Sequence, residues 1–341
     1  MNILITGNLG YIGMNLSEKL INLKYKVIGL DTSFYLENKN LINKNLIQRI
    51  KDVRLVQEND LEGIDIVIHL AALSNDPLGE LSPNLTSEIN YKATINIAEL
   101  SKKKGVKKFI FISSQSMYGV SNSQKELDED NSDKKPVTEY AKTKWQAELE
   151  LKKISTDDFC ISYLRPSTVF GVSSMLRLDI VYNNLLASAF TKNKIEILSD
   201  GSPWRPTVHI DDLCDAILSL IKAPSSKINN VAYNVGVPNG NYSIKDLAIM
   251  VNKLFPKSEL VFKNLETDPR TYKVNFNRIN TELKEYFSPI WTLEKGGIEL
   301  IKYFNKIKLN EIDFKSRKFN RIKQLNFLMK NKKINKNLYW N

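Results

Sequence analysis

The feature that most restricts the fold of this chain is a regular alternation of short apolar runs with longer amphipathic stretches. Through residue 165, apolar runs of roughly four to seven residues alternate with stretches of roughly ten to twenty that have helical periodicity. Continuous apolar strands that alternate with helices are typical of a parallel sheet covered on both faces. The sequence therefore predicts an α/β fold with a doubly wound parallel sheet in residues 1–165.

The predicted strands of this domain are NILIT, KVIGL, DVRLV, DIVIHLAA, KKFIFIS and FCISYLR. The predicted helices cover residues 11–23, 41–50, 85–104 and 139–154. After residue 165 the pattern loosens, with short strands near Ile195 and Val208 and helices over 211–222 and 244–255. We expect residues 166–306 to form a smaller α+β substrate lobe over the carboxyl edge of the sheet, where ligands bind in open α/β sheets. Later segments can also return to the first domain.

Most of the net charge of +11 lies at the carboxyl-terminal end of the chain. Residues 305–341 contain eleven Lys or Arg and two acids, so the preceding residues carry only about +2. A basic segment with aromatic residues can bind nucleic acid, but no RNA- or DNA-recognition motif accompanies this one. We expect residues 307–341 to form a helical extension that packs its aromatic side chains on the body and leaves its lysines in solvent.

Membrane and metal sites are disfavoured by the sequence. No run of about 18 apolar residues occurs, and the chain enters an apolar strand directly at MNILITG, without the regions of a signal peptide. We therefore expect a cytoplasmic protein. Cys160 and Cys214 have no metal-ligand spacing and are expected to be small buried side chains that form no disulfide.

A glycine-rich turn follows the first predicted strand. In ITGNLGYIG, the three glycines Gly7, Gly10 and Gly13 lie where the first helix begins, so backbone amides and the positive helix end can approach a diphosphate. Asp31 ends the second strand, eighteen residues after Gly13, where a carboxylate would accept both ribose hydroxyls. Because this carboxylate repels a 2′-phosphate, the pattern favours NAD over NADP.

Two later strands carry further candidates for this site. Asp60, after the predicted third strand, could accept the adenine amino group, with a solvated loop acid as the alternative. The run HLAA ends the fourth strand with small residues against which a cofactor can lie. His69 and His209 are expected to be core histidines rather than catalytic bases, because each lies in or beside an apolar strand.

A tyrosine and a lysine are spaced for catalysis in the predicted helix 139–154. Tyr140 and Lys144 are four residues apart, and hence on one face of the helix. The strand before this helix ends at Ser113 and Ser114. A lysine ammonium and a positive nicotinamide ring would both lower the tyrosine's pKa, so Tyr140 can act as a general base.

These motifs together resemble the extended short-chain dehydrogenase/reductase family, and within it the nucleotide-sugar epimerase/dehydratase branch, from Met1 to about residue 305. The resemblance implies that Ser114 hydrogen-bonds the reacting sugar hydroxyl, Tyr140 removes its proton and Lys144 holds the cofactor ribose while hydride passes from sugar C4 to NAD. The residue patterns and the resemblance together imply cofactor contacts at Gly7, Leu9, Gly10, Tyr11, Ile12, Gly13, Asp31, Asp60, Leu61, Leu70, Ala71, Ala72, Asn90, Ser113, Tyr140, Lys144 and Pro166.

The stretch FISSQSMYG distinguishes among the reactions of this branch. Dehydratases of the branch carry an Asp-Glu pair directly after the catalytic Ser or Thr, and this chain has Gln115 and Ser116 there. Neither side chain has a pKa suited to proton transfer near pH 7, so 4,6-dehydration is disfavoured unless another residue supplies a carboxylate.

The expected substrate contacts lie partly in the second lobe. Thr168 stands where many epimerases of the family have an Asn, which puts that contact in doubt. The resemblance implies that Arg205 and Arg270 grip the substrate diphosphate, for which planar guanidinium groups are suited. The full set of expected substrate contacts is Ser114, Gln115, Ser116, Thr168, Arg177, Asn184, Arg205 and Arg270.

Three classes of function remain open at this stage. The leading hypothesis is an NAD-dependent nucleotide-sugar 4-epimerase, with a C4 dehydrogenase or 4-ketoreductase as the alternative. A non-catalytic NAD-sensing regulator and a scaffold or nucleic-acid-binding protein that uses the basic tail are different classes. The resemblance also implies a homodimer formed through the helices 85–104 and 139–154, and a role in cell-surface glycan synthesis.

Overall fold

The computed structural model describes residues 1–74, 76–121, 125–263, 265 and 270–341. The strands, in chain order, are β1 Asn2–Thr6, β2 Lys26–Asp31, β3 Ile47–Ile50, β4 Ile66–His69, β5 Lys108–Ile112, β6 Cys160–Pro166, β7 Thr168–Phe170, β8 Lys194–Ile197, β9 Trp204–His209, β10 Ala232–Val235, β11 Asn241–Ser243 and β12 Glu259–Phe262. The helices are α1 Tyr11–Asn22, α2 Asp76–Gly79, α3 Pro83–Ser87, α4 Ala93–Lys103, α5 Glu139–Ile154, α6 Val181–Lys192, α7 Ile210–Lys222, α8 Ser225–Ile228, α9 Ile244–Leu254, α10 Asn277–Glu282, α11 Leu293–Lys306, α12 Glu311–Lys315 and α13 Arg321–Lys330.

The central element is a seven-stranded sheet with the order β10-β6-β5-β4-β1-β2-β3. Every pair of neighbouring strands in it is parallel. Successive side chains of a strand point to opposite faces. Leu4 accordingly joins a core with α4 and α5, whereas Ile3 and Ile5 join one with α1 and α7. The predicted doubly wound α/β fold is confirmed.

The second part of the chain contributes to both the sheet and a separate lobe. The strand β10 returns to the edge of the central sheet beside β6, and α7 packs on one sheet face. The lobe itself contains the small sheets β11-β9-β7 and β12-β8. Its apolar core is shared by α6, α9 and α11. This arrangement places the lobe beside the carboxyl ends of the central strands.

Two predicted elements near residue 50 are wrong. The segment predicted as a helix over 41–50 begins at the end of a 3₁₀ turn, Lys39–Leu41, and contains the edge strand β3. DVRLV contains a 3₁₀ turn at Val53–Leu55 instead of a strand. Pairing with β2 determines the structure of β3, although Ile47 and Ile50 are largely exposed. Hydrogen bonding to a neighbouring strand therefore outweighs local apolar periodicity here.

The predicted helix 139–154 has the bounds of α5. The predicted helix 85–104 is divided, because a π-helical turn at Glu88–Lys92 separates α3 from α4. The strands near Ile195 and Val208 are β8 and β9, and the two helices predicted after residue 165 correspond to α7 and α9. Cys160 and Cys214 are buried and free, as predicted.

The carboxyl-terminal extension packs on the first domain. Four of its apolar residues, Leu325, Leu328, Ile334 and Leu338, belong to the core that α4 and α5 share. Trp340 remains 44% exposed but donates a hydrogen bond to Thr32 O. The extension therefore contributes to the apolar core of the first domain, mainly through aliphatic side chains. Within the described segments, helices lack the length and apolar character that crossing a bilayer requires.

Candidate active site

A cavity of about 870 Å³ lies at the carboxyl ends of the central strands. Its walls come from the glycine-rich turn, the ends of β2, β4 and β5, the start of α5, the second lobe and the carboxyl-terminal extension. This volume is in the range of small-molecule sites, and ligands bind at this edge in open α/β sheets.

The glycine-rich turn can accommodate a diphosphate. Gly7 has φ +75°, and a Cβ on it would lie 2.7 Å from Ala71 N; a Cβ on Gly13 would lie 2.3 Å from Gly7 O. Gly10 precedes α1 and provides no side-chain cap, so the first amides of α1 are left for a ligand. The turn therefore has the close packing and free helix end that an anion site needs.

Asp31 lies in the cavity wall at the end of β2. Its carboxylate accepts hydrogen bonds from Leu9 N at 3.1 Å and Ser33 N at 2.7 Å. Burial raises the Asp31 pKa, and the two backbone hydrogen bonds oppose that shift. Each carboxylate oxygen keeps capacity for another donor, which fits two ribose hydroxyls.

Asp60 does not reach this cavity. It lies in the 3₁₀ turn Glu58–Leu61, where its carboxylate accepts from Lys51 Nζ at 2.6 Å and Gln57 N at 2.8 Å. Since β3 ends at Ile50, the residues that reach the cavity after the third strand are Lys51, Asp52 and Val53. The misplaced third strand explains why the sequence analysis selected Asp60.

Four other predicted contacts also lie outside the cavity wall, namely Leu9, Leu61, Asn90 and Gln115. Leu61 is buried in the core that contains α4 and α5. The Asn90 side chain accepts a hydrogen bond from Leu73 N and donates one to Leu73 O. It therefore holds the backbone of Leu73, which lines the cavity. The Gln115 amide bonds Arg165 O and accepts from Ser167 Oγ at 3.2 Å. All the other cofactor and substrate contacts predicted from the sequence line the cavity.

The predicted catalytic residues converge on one wall. Ser114 lies two residues after β5 and caps the following 3₁₀ turn, and its Oγ lies 2.8 Å from Ser116 Oγ. Tyr140 is in the first turn of α5, against Gly79 of α2, where a Cβ would lie 2.9 Å from Tyr140 Cβ. Lys144, one turn later, donates from Nζ to Ile112 O at 2.7 Å.

Burial dominates the protonation of this pair. It raises the pKa of Tyr140 to about 12; a hydrogen bond with Ser114 lowers that value, and the Asp76 carboxylate raises it. Burial also lowers the pKa of Lys144 to about 7, against the opposing charge of Glu148. In the chain by itself, therefore, burial outweighs the lowering of the tyrosine pKa that the sequence analysis expected.

Three arginines predicted from the sequence also line the cavity. Arg270 Nη1 forms an ion pair with Asp76 Oδ2 at 2.6 Å, which connects the second lobe to α2. Arg205 Nη1 donates to the backbone oxygens of Trp204 and Arg270. Arg177 donates to both carboxylate oxygens of Asp179 and, at 3.3 Å, to Ser74 Oγ.

Several polar residues of the wall were not predicted from the sequence, among them Tyr35, Asp52, Asp76, Asp179 and Arg321. If the third strand had been placed correctly in the sequence, Asp52 would have been identified as the acid that follows it. The others belong to no motif of the sequence, because distant segments bring them together.

Both histidines have structural roles. The His69 ring bonds Thr6 Oγ1 at 2.7 Å and Thr94 Oγ1 at 2.8 Å, and burial lowers its pKa to about 3. His209 Nδ1 accepts from Asp211 N at the start of α7, and its ring stacks on Trp291 at 3.8 Å. The prediction that neither is a catalytic base agrees with these contacts.

Comparison with known proteins identifies the family. The sequence model of the NAD dependent epimerase/dehydratase family matches residues 3–236. The chain is 31% identical to a putative UDP-glucose 4-epimerase of Methanocaldococcus jannaschii, over 88% of this chain and 96% of that protein. It is 29% identical to protein CapI of Staphylococcus aureus, over 89% of this chain and 98% of that one.

A solved structure has the same fold. The UDP-glucose 4-epimerase of Thermotoga maritima, solved with UDP-glucose, superposes with a TM-score of 0.79 at 24% identity, over 91% of this chain and 100% of that chain. The glycine-rich turn, Asp31 and the Ser114, Tyr140 and Lys144 group all lie within the segment that the family model matches. The chain therefore belongs to the NAD-dependent epimerase/dehydratase family, and its cofactor is NAD.

Proposed function

We propose that this protein is a nucleotide-sugar 4-epimerase that acts through a transient 4-keto sugar. The observation that carries the proposal is one cavity that joins a dinucleotide-type glycine turn to Ser114, Tyr140 and Lys144 and to an arginine-bearing wall. The names of the relatives from Methanocaldococcus jannaschii and Thermotoga maritima support a 4-epimerase.

In this mechanism Arg205 and Arg270 bind the diphosphate of the substrate. Arg270 exchanges its ion pair with Asp76 for the more highly charged ligand. Ser114, with Ser116 beside it, orients the C4 hydroxyl, and Tyr140 accepts its proton as general base. Lys144 holds the ribose of the cofactor. When bound, NAD supplies the hydride acceptor and the positive charge that lowers the Tyr140 pKa.

A 4,6-dehydration is disfavoured by the position of Gln115. Its side chain is 1% exposed and is bound by β6 and by Ser167. An amide that points into the protein core supplies neither an acid nor a base to a substrate. Elimination of water needs both.

The alternative is a C4 dehydrogenase or 4-ketoreductase without epimerisation. Thr168 supports it, because this short hydroxyl side chain lines the cavity where many relatives are expected to use an amide. The joint presence of Ser114, Tyr140 and Lys144 counts against a non-catalytic NAD sensor.

The test is incubation of the purified protein with UDP-, GDP- and dTDP-hexoses, followed by separation of C4 epimers and trapping of free 4-ketones. The proposal expects a C4 epimer from at least one sugar nucleotide without net formation of NADH. Stoichiometric 4-ketone with NADH, and no epimer, would establish the dehydrogenase instead.

We also infer a homodimer that forms through α4 and α5, which pack on the same face of the central sheet. Leu149 of α5 is 41% exposed. An exposed apolar side chain on this helix supports an apolar contact with a second copy of the chain. Light scattering during gel filtration tests the inference, and Leu149→Glu is expected to shift a dimer toward monomer. A monomeric parent protein at micromolar concentration would refute it.

A further inference from the structure

The carboxyl-terminal extension reaches the cavity. Asn320, Arg321 and Ile322, at the start of α13, form part of its wall. These residues lie well beyond residues 3–236, the segment that the family model matches. The extension therefore contributes to the cavity wall from outside the segment that the family model matches.

Arg321 has donors left for a ligand. Its side chain is 4% exposed, and Nη2 donates to Met175 O at 2.7 Å. The guanidinium lies over the ring of Tyr35, 4.4 Å from the centroid. Among the described residues, no other hydrogen bond from this guanidinium is formed, so Nε–H and the Nη1 hydrogens are available at the cavity wall.

Charged groups surround Arg321, but among the described residues none of them forms a direct ion pair with its guanidinium. Arg177 is 7% exposed and already takes both carboxylate oxygens of Asp179. Asp179 is shared, since its Oδ2 also accepts from Arg321 N at 3.5 Å. Burial, followed by repulsion from Arg177, lowers the pKa of Arg321 to about 10. Asp31 is a second nearby carboxylate, but among the described residues neither it nor Asp179 accepts a hydrogen bond from the Arg321 guanidinium, so the remaining donors can take a phosphate oxygen.

The position of Arg321 assigns this anion to the cofactor. Tyr35, beneath the guanidinium, follows β2 and Asp31, at the end of the cavity where the ribose is expected. The extension also holds this loop, because Gln324 Nε2 donates to Phe34 O at 2.9 Å and Trp340 Nε1 donates to Thr32 O at 2.7 Å. Arg205 and Arg270 belong to the wall formed by the second lobe.

We propose that the carboxyl-terminal extension is part of the NAD site, and that Arg321 binds the dinucleotide diphosphate from the side facing the glycine-rich turn. Guanidinium groups bind phosphate oxygens with geometric specificity, and the nearby charge of Arg177 adds to the positive electrostatic potential. The proposal rests on the NAD dependence of the family and not on the sugar reaction. For the proposed epimerisation, the enzyme must keep one cofactor molecule through both hydride transfers, and this wall slows its release.

The experiment compares Arg321→Met with Lys330→Met in the full-length protein stripped of cofactor. Lys330 is an exposed cation at the other end of α13 and is the matched control. Calorimetric titration with NAD, ADP-ribose, adenosine and UDP measures each affinity. We expect Arg321→Met to weaken NAD and ADP-ribose about 10- to 100-fold, the range for a hydrogen bond between charged groups, and to leave adenosine and UDP unchanged. Lys330→Met is expected to change none of them.

Three outcomes would overturn the proposal. Equal losses for adenosine and ADP-ribose would show that Arg321 only supports the fold. Unchanged NAD affinity would show that it makes no contact, and a loss for UDP alone would assign it to the substrate. If thermal melting shows that Arg321→Met does not fold, Arg321→Lys retains the charge and must still weaken ADP-ribose more than adenosine. Because no sugar is turned over, these outcomes do not depend on the proposed reaction.

Discussion

At the residue scale, three consecutive side chains after β5 have different environments. Ser114 and Ser116 face the cavity as a hydroxyl pair, whereas Gln115 lies between them in the sequence and points into the core. The turn that follows the strand separates them, because the Ser114 hydroxyl accepts from Ser116 N and closes it. A position that would carry an acid in a dehydratase is thereby used to join the ends of β5, β6 and β10.

The first prediction concerns Tyr140→Phe. Loss of the phenol oxygen removes the general base, so kcat is expected to fall by roughly 10²- to 10⁴-fold while NAD affinity stays within about threefold. Turnover assays and NAD titration measure both quantities. Tyr303→Phe, in α11 and outside the cavity wall, is the control and is expected to keep full activity. Undiminished turnover by Tyr140→Phe would contradict the assignment of the base.

The second prediction concerns Asp76→Asn. The Asp76 carboxylate raises the Tyr140 pKa, which burial has already raised to about 12. Removal of that negative charge lowers the phenol pKa, and because the phenolate is the active form, the acidic limb of the kcat/KM profile should move to lower pH. A pH series of initial rates measures the shift. Asp133 is exposed and outside the cavity wall, so Asp133→Asn is the control and should leave the pH profile unchanged. An acidic limb that moves to higher pH in Asp76→Asn would contradict this prediction.

At the element scale, α5 connects the cavity to the core. Its residues 140, 144 and 148 are spaced by one helical turn and follow one face. The first two line the cavity, and the third, Glu148, pairs with Arg165 of β6 at 2.6 Å, with both side chains at most 1% exposed. The helix is thus held in register against the sheet by an ion pair one turn from Lys144.

The third prediction concerns Glu148→Gln. The change leaves the buried Arg165 guanidinium without its counter-charge, so the free energy of unfolding is expected to fall by about 3–5 kcal/mol. Urea denaturation followed by circular dichroism measures it. Glu150→Gln breaks the exposed pair with Lys153 and should cost less than about 1 kcal/mol. Equal losses in the free energy of unfolding for Glu148→Gln and Glu150→Gln would contradict a larger contribution from the buried pair.

At the scale of the whole molecule, the last segment of the chain completes the first domain. Leu325 is fully buried in the core with α4 and α5, whereas Ile312, in the same extension, is 84% exposed. One part of the extension is therefore packed in the core, and another part lies in solvent. Its cations, apart from those that pack on aromatic rings, are spread over the outer surface.

The fourth prediction concerns Leu325→Ala. Deletion of a buried isobutyl group is expected to lower the free energy of unfolding by about 2–5 kcal/mol, through lost burial and the cavity that remains. Ile312→Ala is the control and should change it by no more than about 0.5 kcal/mol. Chemical denaturation of the full chain measures both. Little effect of Leu325→Ala would show that the extension is only loosely attached.

The sequence by itself determined the parallel α/β fold, the helix α5, the glycine turn and the group of Ser114, Tyr140 and Lys144. The fold, the helix and the turn depend on periodicity or spacing within a short stretch of chain, where local geometry decides the outcome. Ser114 was added to Tyr140 and Lys144 through the resemblance to the family. The tertiary structure alone decided that Ile47–Ile50 is an edge strand, and hence that Asp52 rather than Asp60 reaches the cavity. It also brought Arg321 beside Tyr35 and Arg177. Strand pairing and packing between distant segments produce these contacts, and no local pattern encodes them.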